Sequence, residues 1–233
     1  MSKTLTAAPA QNTALVSLGD IGYKPIAKSV VAALTKAGEY LDRIQLFQGT
    51  SAAAKEGKIK PGYYGVPRGE EVEDLGASID LLVYAAKPKA LDTSGDTPVA
   101  AHDPESAEFQ RIKETADTVK DSGCMHGLEF LVFERNSANF YTYFANGASA
   151  RREAGKMIPT ETALQVTMSA NFIKRKQFSW HAPVITKCST DFSNAPSLDK
   201  IRAEVVKFMK PDDAPEEVKA EDAPANGKGR RAR

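Results

Sequence analysis

Cysteine is scarce, with two in 233 residues, and that rules out a disulfide framework. A reducing, cytoplasmic setting is the expectation. Long apolar runs are missing too: the longest are short segments such as Ile79 to Ala86, far below the roughly 18 residues of a membrane helix. The opening residues carry one Lys and no continuous apolar stretch, so no secretory signal is expected. Nucleotide and hydrolase signatures are also lacking. There is no P-loop, G-x-G-x-x-G, G-x-S-x-G or H-E-x-x-H. No internal repeat is visible. An excess of either charge is absent as well, since 31 Lys+Arg stand against 30 Asp+Glu. That excludes a uniformly basic surface but leaves room for charge sorted by region.

What is present is an ordinary globular composition, 42% hydrophobic and 26% charged. Residues 1–20 read as a flexible arm, 21–209 as a single globular domain, and 210–233 as a disordered tail with an acidic block and a basic tip. Within the domain, Ile26, Val30, Val31, Leu34 and Ala37 predict a first helix. Short strands are expected at Ile44 to Phe47, at Tyr63 to Val66 and at Ile79 to Ala86. Glu70 to Asp74 reads as an acidic loop, and 87–103 as an exposed excursion. Asp103 then caps a helix bearing Phe109, Ile112, Ala116 and Val119. A hairpin follows over Leu128 to Phe133 and Phe140 to Phe144, then a short helix over Ala148 to Met157. Strands at Leu164 to Phe172 and Phe178 to Lys187 come next, and a last helix carries Leu198, Ile201, Val205 and Phe208. Six or seven short strands and three or four helices predict an α+β or mainly β fold. The expected form is a single antiparallel sheet or a small barrel resembling an oligonucleotide-binding fold.

One stretch stands out chemically. From Arg151 to Thr190 there are seven basic residues (Arg151, Arg152, Lys156, Lys174, Arg175, Lys176, Lys187) against two acidic ones. Aromatic residues lie beside them, namely Phe140, Tyr141, Tyr143, Phe144, Phe172, Phe178, Trp180 and His181. Single-stranded nucleic acid is held by this pairing, with cations along the phosphates and rings under the bases, each stack being worth about 1–3 kcal/mol. Strand alternation sends half of these rings inward, and Tyr141 and Tyr143 are the better surface candidates because a phenol keeps a wet tip. The plain alternative is a solvated basic face over a core. A weaker patch joins Lys55, Lys58 and Lys60 to Tyr63, Tyr64 and Arg68.

Catalytic candidates are few. Asp80, Glu129 and Glu134 would serve a metal-dependent nuclease if they converged. Cys124, His126, His181 and Cys188 have the count of a zinc site without its spacing. No cofactor and no metal is expected.

The stretches RIQLFQGTSAAAKEGKIKPGYYGV, FYTYFANGASARREAGKM and FSWHAPVITKCSTDF resemble proteins of phages and mobile replicons, some similar to single-stranded DNA-binding proteins with an oligonucleotide-binding barrel. The resemblance implies a non-enzymatic protein that coats single-stranded DNA during replication or recombination. Read from its charge, the acidic tail can compete with nucleic acid for the basic face or recruit replication or recombination proteins, and a homo-oligomer is a further expectation. The tail departs from that pattern by ending in Gly229-Arg230-Arg231-Ala232-Arg233 rather than a hydrophobic acidic tip. The rivals are an assembly protein of a virus-like particle and the nuclease.

Overall fold

The computed structural model describes residues 41–188 and 193–209. The expected arm, first helix and tail lie outside them. Among the described residues there are nine strands and four α-helices, built around one mixed sheet. The strands are β1 (Arg43–Leu46), β2 (Tyr64–Arg68), β3 (Glu71–Gly76), β4 (Ser78–Asp92), β5 (Val99–Ala101), β6 (Cys124–Glu134), β7 (Asn139–Ala145), β8 (Leu164–Arg175) and β9 (Phe178–Lys187). The helices are α1 (Ala52–Lys55), α2 (Ala107–Thr118), α3 (Ala148–Ala154) and α4 (Leu198–Met209).

The strand order is β3-β2-β1-β7-β6-β4-β8-β9, with β5 on β4. All pairs are antiparallel except β1 with β7. The α+β, mainly β class holds. The closed barrel and the purely antiparallel sheet do not, because the sheet stays open and β1 enters parallel to β7.

Two segments expected to be loops are strands. Glu70 to Asp74 falls largely in β3, because Gly69 at φ 62° makes a two-residue turn that pairs Arg68 with Glu71. The acidic side chains then decorate an edge, where charge deters pairing with other chains. The supposed excursion at 87–92 continues β4 through Pro88. The Pro88 carbonyl accepts from His102 Nδ1 at 2.9 Å, on the side away from β6. A residue's N and C=O point the same way in a strand, so the donor that Pro lacks also falls on the side away from β6. No β4–β6 ladder bond is lost there. The cap of α2 also differs: Ser106 Oγ accepts from Phe109 N, while Asp103 accepts from Glu105 N in a preceding turn.

The central strands are covered on both faces. Phe130, Val132, Tyr141 and Tyr143 point to a core shared with Ile44, Tyr64, Met168, Ala154 at the end of α3 and Met157 in the turn that follows it. Leu131, Phe133 and Phe140 point the other way, against Ile201, Val205 and Phe208 of α4. A register shift at Tyr84 lets Tyr84 and Ala85 both reach that second core. Each fully buried side chain of this size contributes about 1.5–3 kcal/mol of apolar burial.

Strand β9 is an edge, yet its outward backbone is occupied. The His181 N–H donates to Gln48 Oε1 at 2.7 Å, and the His181 carbonyl accepts from Gln48 Nε2 at 2.9 Å. Two residues on, Pro183 has no N–H. Two further on, the Ile185 N–H donates to Glu153 Oε2 at 3.1 Å. A side-chain amide, a proline and a carboxylate thus fill the places a neighbouring strand would take. The amide also ties β9 to the end of β1, curling the sheet into a trough.

Candidate nucleic-acid interface

That trough is a cleft of about 790 Å³. One wall is β1 with Arg43 and Gln45, continued by Gln48 just past its end, and the floor is the end of β7 with the first turn of α3. The other wall is the β8–β9 hairpin, which contributes Arg175, Phe178, Trp180 and His181. Cross-strand register explains the third group. Arg175 pairs with Phe178 and Ile173 with Trp180, so Arg175, Phe178 and Trp180 project from one face of the hairpin. The Trp180 indole N–H reaches Ser149 Oγ at 3.4 Å, which steadies the ring against α3.

The hairpin tip is basic and apolar at once. Lys174, Arg175 and Lys176 are exposed and make no ion pair among the described residues. Phe172 is 61% exposed and Phe178 68%, which for large rings means that water is their main neighbour. Phe172 leans on the His181 ring at 5.1 Å between centroids. Lys176 holds φ at 50°, a conformation side chains with a Cβ seldom adopt and one that this two-residue turn imposes.

Several expected contacts fall elsewhere. Tyr141 and Tyr143 are buried, at 1% and 5% exposure, and Tyr64 is wholly buried, so none can stack a base. The reason is that β7 is covered on both faces, Tyr141 and Tyr143 entering the first core and Phe140 the second, while Tyr64 of β2 joins the first. The Tyr64 hydroxyl donates to the Ser169 carbonyl at 2.8 Å, and the Tyr141 hydroxyl reaches Ser137 and Glu73. Burial pushes the Tyr64 and Tyr143 phenols well above the usual tyrosine range, so both stay neutral. Arg68 is committed to Glu73 and Asp42 rather than open to phosphate. Arg151 donates to the carbonyls of Asn146 at 2.7 Å and His126 at 3.2 Å. Lys156 pairs with Glu153 at 2.7 Å, and that cation, then the Ile185 N–H, holds the Glu153 carboxyl below its ordinary range. Arg152 is exposed on α3.

The weaker patch borders the cleft at a single point. Gly62, at φ 83°, lies against the His181 ring so closely that a Cβ would sit 2.6 Å from its Cδ2. Tyr63 is half-buried under Lys60, whose ammonium stands 5.5 Å from the ring centroid. Lys58 pairs with Glu56 at 2.8 Å, and Lys55 is exposed at the end of α1.

The acids of the nuclease reading do not converge. Glu129 is held by Lys89 at 2.6 Å, whereas Glu134, five residues on and about 16 Å away along β6, accepts from the N–H groups of Asn136 and Ser137. Asp80 accepts from Thr167 Oγ1 at 2.6 Å. The sulfur and imidazole candidates are dispersed as well, with His126 on Asp117 and Cys188 buried. Among the described residues, no group of three or more His, Cys, Asp or Glu could hold a metal ion. Nor is any helix among them long and apolar enough to cross a membrane.

Sequence reasoning passed over Arg43, Gln48 and the exposure of Phe178. Arg43 and Gln48 stand some 130 residues from the hairpin and join it only through the β1–β7 pairing and the Gln48 bridge. Compared with known protein families, with curated proteins and with solved structures, the chain finds no match in any of the three.

Proposed function

We propose that this protein binds single-stranded DNA along the cleft and the β8–β9 hairpin, without catalysing a reaction, in support of replication or recombination. One observation carries the reading: three cations that make no ion pair among the described residues lie beside two exposed phenylalanines, at the mouth of a cleft holding Arg43 and Trp180. Cations without acidic partners are free to take phosphates, and exposed rings offer base-sized apolar faces. The tip residues Lys174, Arg175 and Lys176 contact the backbone, while Trp180 and Phe178 meet bases. A content of two cysteines in 233 residues fits a reducing, cytoplasmic setting. The blocked outer edge of β9 argues against assembly of copies by strand addition there.

The test is a fluorescence-anisotropy titration of a labelled short oligo-dT over a range of salt. On single strands each phosphate contact contributes about 0.7 to the slope of log K against log salt. Replacing Lys174, Arg175 and Lys176 together with alanine should therefore lower that slope by roughly 2. Binding that is absent, or an unchanged slope in the triple variant, would refute the proposal.

A further inference from the structure

Phe178 and Trp180 stand two residues apart on β9 and share a face, Phe178 opposite Arg175 and Trp180 opposite Ile173. Alternate residues of a strand are about 6.4–6.8 Å apart, the separation of two successive stacking distances of about 3.4 Å. A gap of that width between rings admits one flat base. The two rings do not stack on each other. Trp180 is anchored to Ser149 and Phe178 is open to water, so one side of the gap is fixed and the other can adjust. Arg175 borders the outer ring, and Arg43 lies on the facing wall of the same cleft.

Resting on the single-strand reading above, we infer that the hairpin is a clamp for one unpaired base, sandwiched between Phe178 and Trp180 with Arg175 on an adjoining phosphate. A base still paired in a duplex is covered above and below by its neighbours and cannot enter the gap. The clamp therefore selects unpaired or extruded nucleotides, which a cationic patch alone does not do.

Trp180 is the chain's only tryptophan, so its emission reports the clamp directly. The full-length protein is titrated with oligo-dT and with an abasic phosphodiester oligomer of the same length, at one salt concentration. Oligo-dT should quench Trp180 and bind about 5- to 150-fold more tightly than the abasic strand, the range set by one to three kcal/mol of stacking. Phe178→Ala, at an exposed site that leaves the core intact, should weaken oligo-dT binding toward the abasic level and leave abasic binding unchanged. Equal affinity for the two strands, binding of oligo-dT without quenching, or equal losses in Phe178→Ala for both strands would overturn the clamp while leaving single-strand binding standing. Binding of neither strand overturns both.

Discussion

Replacing Gln48 with alanine removes two hydrogen bonds at once, because the one amide both donates to the His181 carbonyl and accepts from the His181 N–H, at 2.9 and 2.7 Å. A net contribution of about 0.5–1.5 kcal/mol per bond gives a cost of about 1–3 kcal/mol, and the upper half applies if His181 is left partly dry. For a domain of this size, 2 kcal/mol corresponds to a fall of about 4–8 °C in Tm. Gln48→Glu keeps an acceptor for the N–H but loses the donor, so it should lie between wild type and Gln48→Ala. Urea unfolding followed by circular dichroism checks the size of the effect, with the midpoint falling at unchanged slope. Trp180 emission, shifted to longer wavelength in the folded variant, checks its place, since release of β9 admits water to the cleft. A loss below about 0.5 kcal/mol in Gln48→Ala, or an emission spectrum identical to wild type, would refute the idea that a side-chain amide holds the hairpin to β1.

Other expectations concern single sites. A Cβ on Gly127 would lie 2.0 Å from the Ala145 carbonyl oxygen, so Gly127→Ala must force the β6–β7 ladder apart and cost at least about 2 kcal/mol, read as a drop in Tm. Tyr64→Phe should cost about 1 kcal/mol by orphaning the Ser169 carbonyl. Tyr84→Phe should cost nothing, since the buried Tyr84 hydroxyl has no partner among the described residues. The Glu153 carboxyl is held below its ordinary range by Lys156 and the Ile185 N–H, so its contribution is present above the unfolded value near pH 4.3 and is lost as pH falls through the lower folded one. The Tm gap between wild type and Glu153→Gln should therefore close as pH falls from 7 to below the unfolded value near 4.3. A gap that stays constant would show that the carboxylate's charge is not what caps β9.

Local pattern carried a good deal of the fold. Apolar spacing of three and four placed α2 and α4, and of the residues it selects Phe109, Ile112, Ile201, Val205 and Phe208 are buried, whereas Val119 and Leu198 at the helix ends are exposed. The hairpins β6–β7 and β8–β9 were legible because aromatic and β-branched runs met at short polar turns. The miss at Glu70 to Asp74 has a local cause, a run of acids that resembles a loop until Gly69 is allowed its positive φ. The miss at Pro88 is not local, since proline reads as a break unless the strand's unpaired side is known.

The candidate interface divides in the same way. Sequence alone determined that positive charge and aromatic rings gather around Lys174 to Trp180, because neighbours on a hairpin remain neighbours in space whatever else the chain does. Only the tertiary structure decided which rings meet water. A strand's alternation names two faces, but the covering of both faces of β7 by separate cores consumed Tyr141 and Tyr143, while among the described residues no layer covers the hairpin tip and Phe178 stays bare. Tertiary structure alone also brought Arg43 and Gln48 to that hairpin, since a parallel pairing between β1 and β7 leaves no mark in local composition.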